Sequence, residues 1–391
     1  MTLDLADSMP EDGCAGALLG RVWRPGEPAG PSPVAVRADG VVDLSRYAPT
    51  SAALCARPDG VELVRQGDGE RLGGVEEILA NSSADRRDPS LPWFLAPCDL
   101  QAVKACGVTF VSSMLERVIE EQAKGDPDQA AEIRAAIASE VGQSIGHIVP
   151  GSAEAARVKA LLVERGLWSQ YLEVGIGPDA EVFTKSQPLA AVGTGSEIGI
   201  LEKSTWNNPE PEVVLVITAD GRTVGATLGN DVNLRDIEGR SALLLGKAKD
   251  NRGSAAIGPF IRLFDEDFGM DDVRTMSIRL TVEGTDDGFR LDGASSLDQI
   301  SRDPLDLAGQ ACGVNNHYPD GLMLYTGTMF APTKDRDAPG QGFTHHLGDV
   351  VTISTPLLGA LRNRVNHSHR LARWQFGIGA LMTNLAERGL L

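Results

Sequence analysis

Asn208-Pro209-Glu210-Pro211-Glu212-Val213-Val214-Leu215-Val216-Ile217-Thr218 is the stretch on which the reading of this chain turns. From Val213 to Thr218 the run is short, nearly all apolar and β-branched, which predicts a buried strand. Side chains alternate along a strand, so Glu210 and Glu212 at i and i+2 share a face. Two like charges side by side among apolar neighbours are unfavourable unless something neutralises them. The nearest lysine in sequence, Lys203, lies seven residues before Glu210. A hard divalent cation meets the need, since Mg²⁺ takes carboxylate oxygens and keeps some of its waters. A strand end with two solvated glutamates is the other reading of the same spacing.

Further along, Gly229-Asn230-Asp231-Val232-Asn233-Leu234-Arg235-Asp236 follows a second β-rich piece, Arg222–Leu228. A hairpin between the two pieces returns Asp231 to the side of Glu210 and Glu212. Three converging carboxylates suit an octahedral ion with positions left open for a substrate. Asp231 also reads as the N-cap of a short helix. In Gly246–Pro259, Lys247 and Lys249 stand among small residues and supply a local cation for an anionic ligand, or form a surface loop. The order of residues that defines a phosphate loop is absent. Tyr325-Thr326-Gly327-Thr328 closes an apolar strand with a turn whose exposed N–H groups can hold a carboxylate.

Composition narrows the function classes. A chain of 391 residues, 42% hydrophobic and 23% charged, makes one large domain or two smaller ones. The 36 Lys and Arg against 54 Asp and Glu leave a net charge of −18, a field that repels nucleic acid and anionic membranes. The five cysteines, Cys14, Cys55, Cys98, Cys106 and Cys312, lie far apart and read as reduced thiols. Met1–Gly13 is acidic, without the basic start of a secretory signal, and no 18-residue apolar run occurs. The expectation is a cytoplasmic enzyme with a small-molecule substrate.

Texture changes along the chain. Residues 20–50 alternate turn signals with short apolar pieces, predicting a small β-containing region. Helical periodicity dominates from Met114 to Val163, with helices expected over 127–141 and 153–165. Strands are predicted over Arg222–Leu228, Ser277–Val282, Phe289–Leu291, Leu322–Tyr325 and Val350–Thr355, with helices after Asp298 and over Arg370–Arg388. None of His147, His317, His345, His346, His367 and His369 shows metal-ligand spacing.

Each piece is weak alone, but their order and spacing together resemble the fumarylacetoacetate hydrolase family. The pieces are Glu210-x-Glu212, Asn230-Asp231-x-x-x-Arg235-Asp236, Ala248-Lys249-x4-Ser254, Leu324-x-Thr326-Gly327-Thr328 and Gly348-Asp349-x-Val351. Gly107-Val108-Thr109-Phe110 is similar to that family's lid segment, and Phe183-Thr184-Lys185 to its substrate-side lysine strand. The run Ala294-Ser295-Ser296 ahead of Arg302-Asp303-Pro304 also fits.

The resemblance implies an α+β fold, a mixed β-strand roll around a divalent metal, usually in a homodimer. Residues 1–100 would form a smaller turn-rich N-terminal domain and 101–391 the catalytic domain, with lid helices in 112–165. It assigns Glu210, Glu212 and Asp231 to Mg²⁺ or Mn²⁺ and Lys249 to the active site. Lys185, Arg235, Gly327 and Thr328 fall on the substrate side. Substrates of the family are 2-oxo or β-diketo acids, and its reactions include C–C hydrolysis, decarboxylation and dehydration.

One departure discriminates among these. Hydrolytic members similar to acylpyruvate hydrolases carry a lid His-x-x-Glu pair that activates water. This chain reads Ser113-Met114-Leu115-Glu116, so that dyad cannot form there. Ser113, Arg117 and Glu120-Glu121 instead resemble the lid of dehydratases acting on 2-keto-3-deoxypentonates. On that reading Glu120 is the base or acid, with Glu116 second, and Ser113 and Arg117 grip substrate hydroxyls. The same lid residues also suit an exposed helical face held by i,i+4 pairs. The expected activity is Mg²⁺-dependent dehydration to 2,5-dioxopentanoate. C–C hydrolysis of a β-diketo acid and non-catalytic binding of a 2-oxo acid are the alternatives.

Overall fold

The computed structural model describes residues 1–110, 114, 148–164, 166, 168–330, 332, 334–338 and 342–391. Ser113, Glu116, Arg117 and Glu120 of the expected lid lie outside the described residues.

Strands of the N-terminal quarter include Leu18–Arg24 (β1), Gly30–Arg37 (β2), Gly40–Asp43 (β3) and Arg71–Gly73 (β4), and the two-residue piece Trp93–Phe94 pairs with β1. Ala102–Gly107 (β5), Glu181–Ser186 (β6) and Glu197–Ile200 (β7) flank the lid region. Then come Pro211–Ile217 (β8), Thr223–Asp231 (β9), Ala255–Leu263 (β10), Ser277–Glu283 (β11) and Arg290–Ser296 (β12). Leu322–Tyr325 (β13), Val350–Thr355 (β14) and Gly359–His367 (β15) follow, and the two-residue pieces Asn207–Asn208 and Asn233–Leu234 pair with each other. The large sheet runs β4-β3-β2-β1-β10-β9-β8-β13-β5-β6, and a second sheet runs β12-β11-β14-β15-β7. Neighbours are antiparallel except β13 with β5 and β15 with β7.

The apolar run of β8 packs on both faces. Val213, Leu215 and Ile217 join Ile278, Leu280 and Ile353 in the layer between the two sheets. Val214 and Val216 face the other way, against Val103, Met323 and Ile261. Each such side chain contributes about 1.5–3 kcal/mol by leaving water, which is why a central strand can be apolar at every position.

The large sheet crosses the expected boundary at residue 100. Leu18 and Leu19 of β1 pair with Arg262 and Ile261 of β10, so the N-terminal strands extend the same sheet. They keep a core of their own, with Val22, Val34, Val41, Ile78 and Leu79 buried around Phe94 and Phe260.

Three expectations are corrected. The closing helix spans Ile378–Glu387, eight residues shorter at its start than Arg370, because His367 to Gly377 turns and runs irregularly before Gly377 caps it. The second half of Gly246–Pro259 is not a loop but the start of β10, all nine of whose residues are buried between β1 and β9. The strand expected over Phe289–Leu291 is Arg290–Ser296, extended by its pairing with β11. The helix Ala153–Glu164 and strands β13 and β14 stand where the sequence placed them.

Candidate metal centre

Strands β8 and β9 form the expected hairpin, with Pro211 opposite Asn230 and Glu212 opposite Gly229. The pairing carries Asp231 back to the start of β8, where its N–H donates to the Glu210 carbonyl at 3.0 Å. Asp231 is therefore the last residue of a strand, not the cap of a helix. One carboxylate oxygen from each of Glu210, Glu212 and Asp231 lies within 4.8 Å of the others. All three residues are at most 1% exposed.

Two buried lysines partly balance them. Lys249 ends the short helix Leu245–Lys249, and its Nζ lies 2.5 Å from Glu210 Oε2 and 3.0 Å from Asp231 Oδ2. Lys185, from β6, approaches Asp231 Oδ1 at 2.7 Å from behind, and donates to the carbonyls of Val232 at 3.0 Å and Lys249 at 2.7 Å. Burial pulls Lys249 downward, but Asp231 and Glu210 outweigh it and hold the ammonium above the ordinary lysine range. For Lys185 burial wins over Asp231, and its pKa falls. Lys249 pairs with two carboxylates, whereas Lys185 pairs with one and is repelled by Lys249.

Glu212 has no ion pair within 4.0 Å among the described residues. It accepts from the Gly327 N–H at 2.7 Å and the Thr328 hydroxyl at 3.2 Å. Burial pushes its carboxyl well above the usual range, and Asp231 and Glu210 push the same way. Two lysines against three buried carboxylates leave one negative charge over, with an all-oxygen donor set. That is the chemistry of a hard divalent cation such as Mg²⁺. The residues present fit the ion.

Gly327 sits at φ +103°, a conformation glycine adopts without strain, and an added Cβ would collide with the Thr109 hydroxyl. Thr109, from the expected lid segment, donates to the Thr326 carbonyl at 2.8 Å and so fixes this turn. Glu210, Asp231, Lys249, Thr328, Phe183 and Glu238 are among the residues that line the cavity over the cluster.

Not every expected residue reaches that cavity. Lys185 lies behind the carboxylates, fully buried and bonded to main chain, so its contacts are those of a support and not of a substrate ligand. Arg235 stacks its guanidinium 4.5 Å from the centre of the Trp206 ring and does not line the cavity. Asp349 is remote in role: it is buried against Arg336, at 2.6 and 2.8 Å, and His345, at 3.1 Å.

Asn233 was missed. Its amide donates to Glu210 Oε1 at 2.9 Å and to Glu238 Oε2 at 2.5 Å, orienting the Glu210 carboxylate. The i+2 spacing from Asp231 was the available signal, because it puts Asn233 back on the same side of an extended chain. Glu238 carried no such signal, since a turn of helix brings it in.

Known proteins resemble this chain in sequence and in fold. The chain is 32% identical over 202 residues to a probable 2-keto-3-deoxyxylonate dehydratase of Haloferax volcanii, covering 52% of this chain and 65% of that protein. It is 29% identical over 194 residues to a 2-dehydro-3-deoxy-D-arabinonate dehydratase of Saccharolobus solfataricus, covering 49% and 60%. The matches thus span less than two thirds of either relative. A solved 2-keto-3-deoxyarabinonate dehydratase has the same fold, with a TM-score of 0.62 at 20% identity over 91% of this chain and all of that one. Another, at TM-score 0.60 and 19% identity over 91% of this chain and all of that one, is complexed with magnesium and 2,5-dioxopentanoate. The family model for the C-terminal domain of fumarylacetoacetate hydrolase matches residues 167–366, the span that holds every carboxylate and lysine of the cluster. This chain belongs to the fumarylacetoacetate hydrolase family.

Proposed function

We propose that this protein is a Mg²⁺-dependent dehydratase that removes water from a 2-keto-3-deoxypentonate to give 2,5-dioxopentanoate. The observation that carries the reading is the buried trio Glu210, Glu212 and Asp231 with Lys249 at the edge of one cavity. The names of the two relatives support the substrate class.

Glu210, Glu212 and Asp231 would hold the ion, which when bound supplies Lewis-acid polarisation of the carboxylate and keto oxygens of an α-oxo acid. The protein's own groups do the rest. Lys249 brings a fixed positive charge to a strongly acidic molecule and orients the anionic end of the substrate. Thr328 stands at the cavity wall with a hydroxyl that reaches Glu212 and is positioned to bond the substrate carboxylate.

Overall, a base removes a proton from C3, an acid protonates the departing C4 hydroxyl, and the unsaturated 2-oxo acid tautomerises to 2,5-dioxopentanoate, with a ketone at C2 and an aldehyde at C5. Each acid or base step is worth roughly 10²–10⁴-fold. Glu120 is assigned as base or acid, with Glu116 second, and Ser113 and Arg117 as hydroxyl contacts. Their place in the sequence just after Thr109 supports this. A homodimer completes the reading, and light scattering on the purified protein tests it.

The decisive assay incubates purified protein and Mg²⁺ with 2-keto-3-deoxyarabinonate, 2-keto-3-deoxyxylonate and a set of β-diketo acids. Formation of 2,5-dioxopentanoate, abolished by Lys249→Met and by Glu120→Gln, is the expected result. Pyruvate from a diketo acid, with no semialdehyde from either sugar acid, overturns the proposal.

A further inference from the structure

A second group of metal-type side chains lies at one end of the smaller sheet, away from the carboxylate trio. Strands β15 and β7 run parallel with His367 opposite Ile200, and the Ser368 N–H continues the ladder to the Ile200 carbonyl at 2.8 Å. Two residues beyond that pair on each strand stand His369 and Glu202. The parallel register therefore brings Glu202 to two histidines that lie far from it in sequence.

Their geometry is that of a chelate. One ligand atom from each of Glu202, His367 and His369 lies within 4.8 Å of the others. The two imidazoles stack at 5.5 Å between centres with 27° between planes, and His369 Nδ1 lies 4.0 Å from Glu202 Oε2. His367 Nδ1 is shielded from water and has no hydrogen-bond partner. A buried imidazole nitrogen without a partner is a standing deficit, and an ion or a bound donor removes it. His369 and Glu202 remain 56% and 64% exposed, so an ion has an open approach and the side chains are free to close on it.

Among the described residues, the other histidine-containing cluster behaves differently. His346 already uses both ring nitrogens, on Asp286 and Asp337, each at 2.9 Å. Asp287 in the same group is held by the Arg336 guanidinium at 2.9 and 3.1 Å. That cluster supplies its own cation.

We propose that Glu202, His367 and His369 form a surface site for a borderline divalent cation of the zinc, nickel or cobalt type, distinct from the hard-cation centre. Imidazole nitrogens favour these ions, whereas Mg²⁺ prefers oxygen alone. Two nitrogens and one carboxylate oxygen leave the fourth position to water. Ligand atoms in a tetrahedral zinc site lie about 3.3 Å apart, which small rotations of the exposed Glu202 and His369 side chains achieve. The ion would tie the end of β7 to the turn after β15. That turn also holds the loop following Lys249, through Arg252 Nη1 on the Leu371 carbonyl at 3.1 Å.

The test titrates zinc chloride into the full-length protein held in excess Mg²⁺, by calorimetry, with Co²⁺ visible absorption as a second readout. Wild type is expected to bind one zinc ion per chain beyond any taken by the carboxylate trio. His369→Ala and His367→Asn should each weaken that event by ~10-fold or more, Glu202→Gln should weaken it too, and the Co²⁺ band should disappear in both histidine variants. His369 is exposed, so its variant keeps the fold, which an unchanged urea midpoint verifies. Equal zinc stoichiometry and affinity in wild type and both histidine variants overturns the proposal.

Discussion

The Nζ of Lys185 donates to the main-chain carbonyl of Lys249 at 2.7 Å, so one buried lysine fixes the backbone from which the other reaches the carboxylates. The same Nζ lies 2.7 Å from Asp231. Lys185 thus organises the cluster from the rear while Lys249 faces the cavity.

Replacing Lys185 should damage the fold and not merely the chemistry. Lys185→Met removes a donor from the Val232 and Lys249 carbonyls, the second of which keeps the Ser254 hydroxyl, and leaves Asp231 with Lys249 as its one close cation among the described residues. Breaking a buried ion pair typically costs about 3–5 kcal/mol, and a fall of that size in urea-derived stability is expected. Lys249→Met, at the cavity edge, should abolish turnover. A Lys185→Met protein as stable as wild type would refute the supporting role.

Glu212 gives a test of the metal that needs no substrate. Mg²⁺ at 100 times its dissociation constant stabilises the native state by about 2.7 kcal/mol, and chelation should remove that increment. Glu212→Gln should lose most of it. The chelated variant should be no less stable than chelated wild type, because the amide keeps an acceptor for Gly327 and Thr328 and cannot ionise in a buried site. Thermal unfolding with and without Mg²⁺ reads both effects, and an unaltered magnesium response in the variant contradicts the ligand assignment.

Gly327→Ala probes the turn that presents an N–H to Glu212. A Cβ at φ +103° is strained and meets the Thr109 hydroxyl. Strain of this kind costs on the order of 1–3 kcal/mol, and relief requires the turn to shift, withdrawing the Glu212 hydrogen bond. Both stability and magnesium affinity should fall. Thr109→Ala combined with Gly327→Ala should recover part of the stability, which a double-mutant cycle measures.

Acid sensitivity should trace to Arg336. Burial alone would raise Asp349, but Arg336 and His345 outweigh it and hold the carboxyl below its usual range, while the Arg336 hydrogen bonds keep Asp287 low as well. Depressed carboxyl pKa values mean the unfolded chain takes up protons first as the pH drops. This stabilisation is complete above about pH 4–5 and is lost as the pH falls toward the folded values. Arg336→Met should lower neutral-pH stability by about 3–5 kcal/mol and flatten its decline in acid. Urea midpoints measured from neutral pH downward check this, and an unchanged acid slope counts against it.

Much of the centre was legible because it rests on local rules. Alternation put Glu210 and Glu212 on one face, and the apolar run after them announced a buried strand; a hairpin returning Asp231 was one reading of the next segment, with a helix cap the other. Lys249 could be named only by family resemblance, since its own surroundings in sequence suit a surface loop equally well. The nine-residue strand Ala255–Leu263 was hidden in the same way: it lacks alternation because both of its faces are covered.

The sequence by itself determined the strands of the central hairpin, the three carboxylates at its mouth and the acidic character that makes a local cation necessary. These follow from side-chain period and charge, which act over a few residues. Only the tertiary structure decided that Lys185 stands behind the cluster, that Arg235 stacks on Trp206 and that Asn233 orients Glu210. It also decided that Glu202 meets His367 and His369 through a parallel strand pair. Such contacts depend on which strands become neighbours and in what register, and burial of the whole chain sets that; apart from the i+2 spacing of Asn233 from Asp231, the local spacing carries no mark of them.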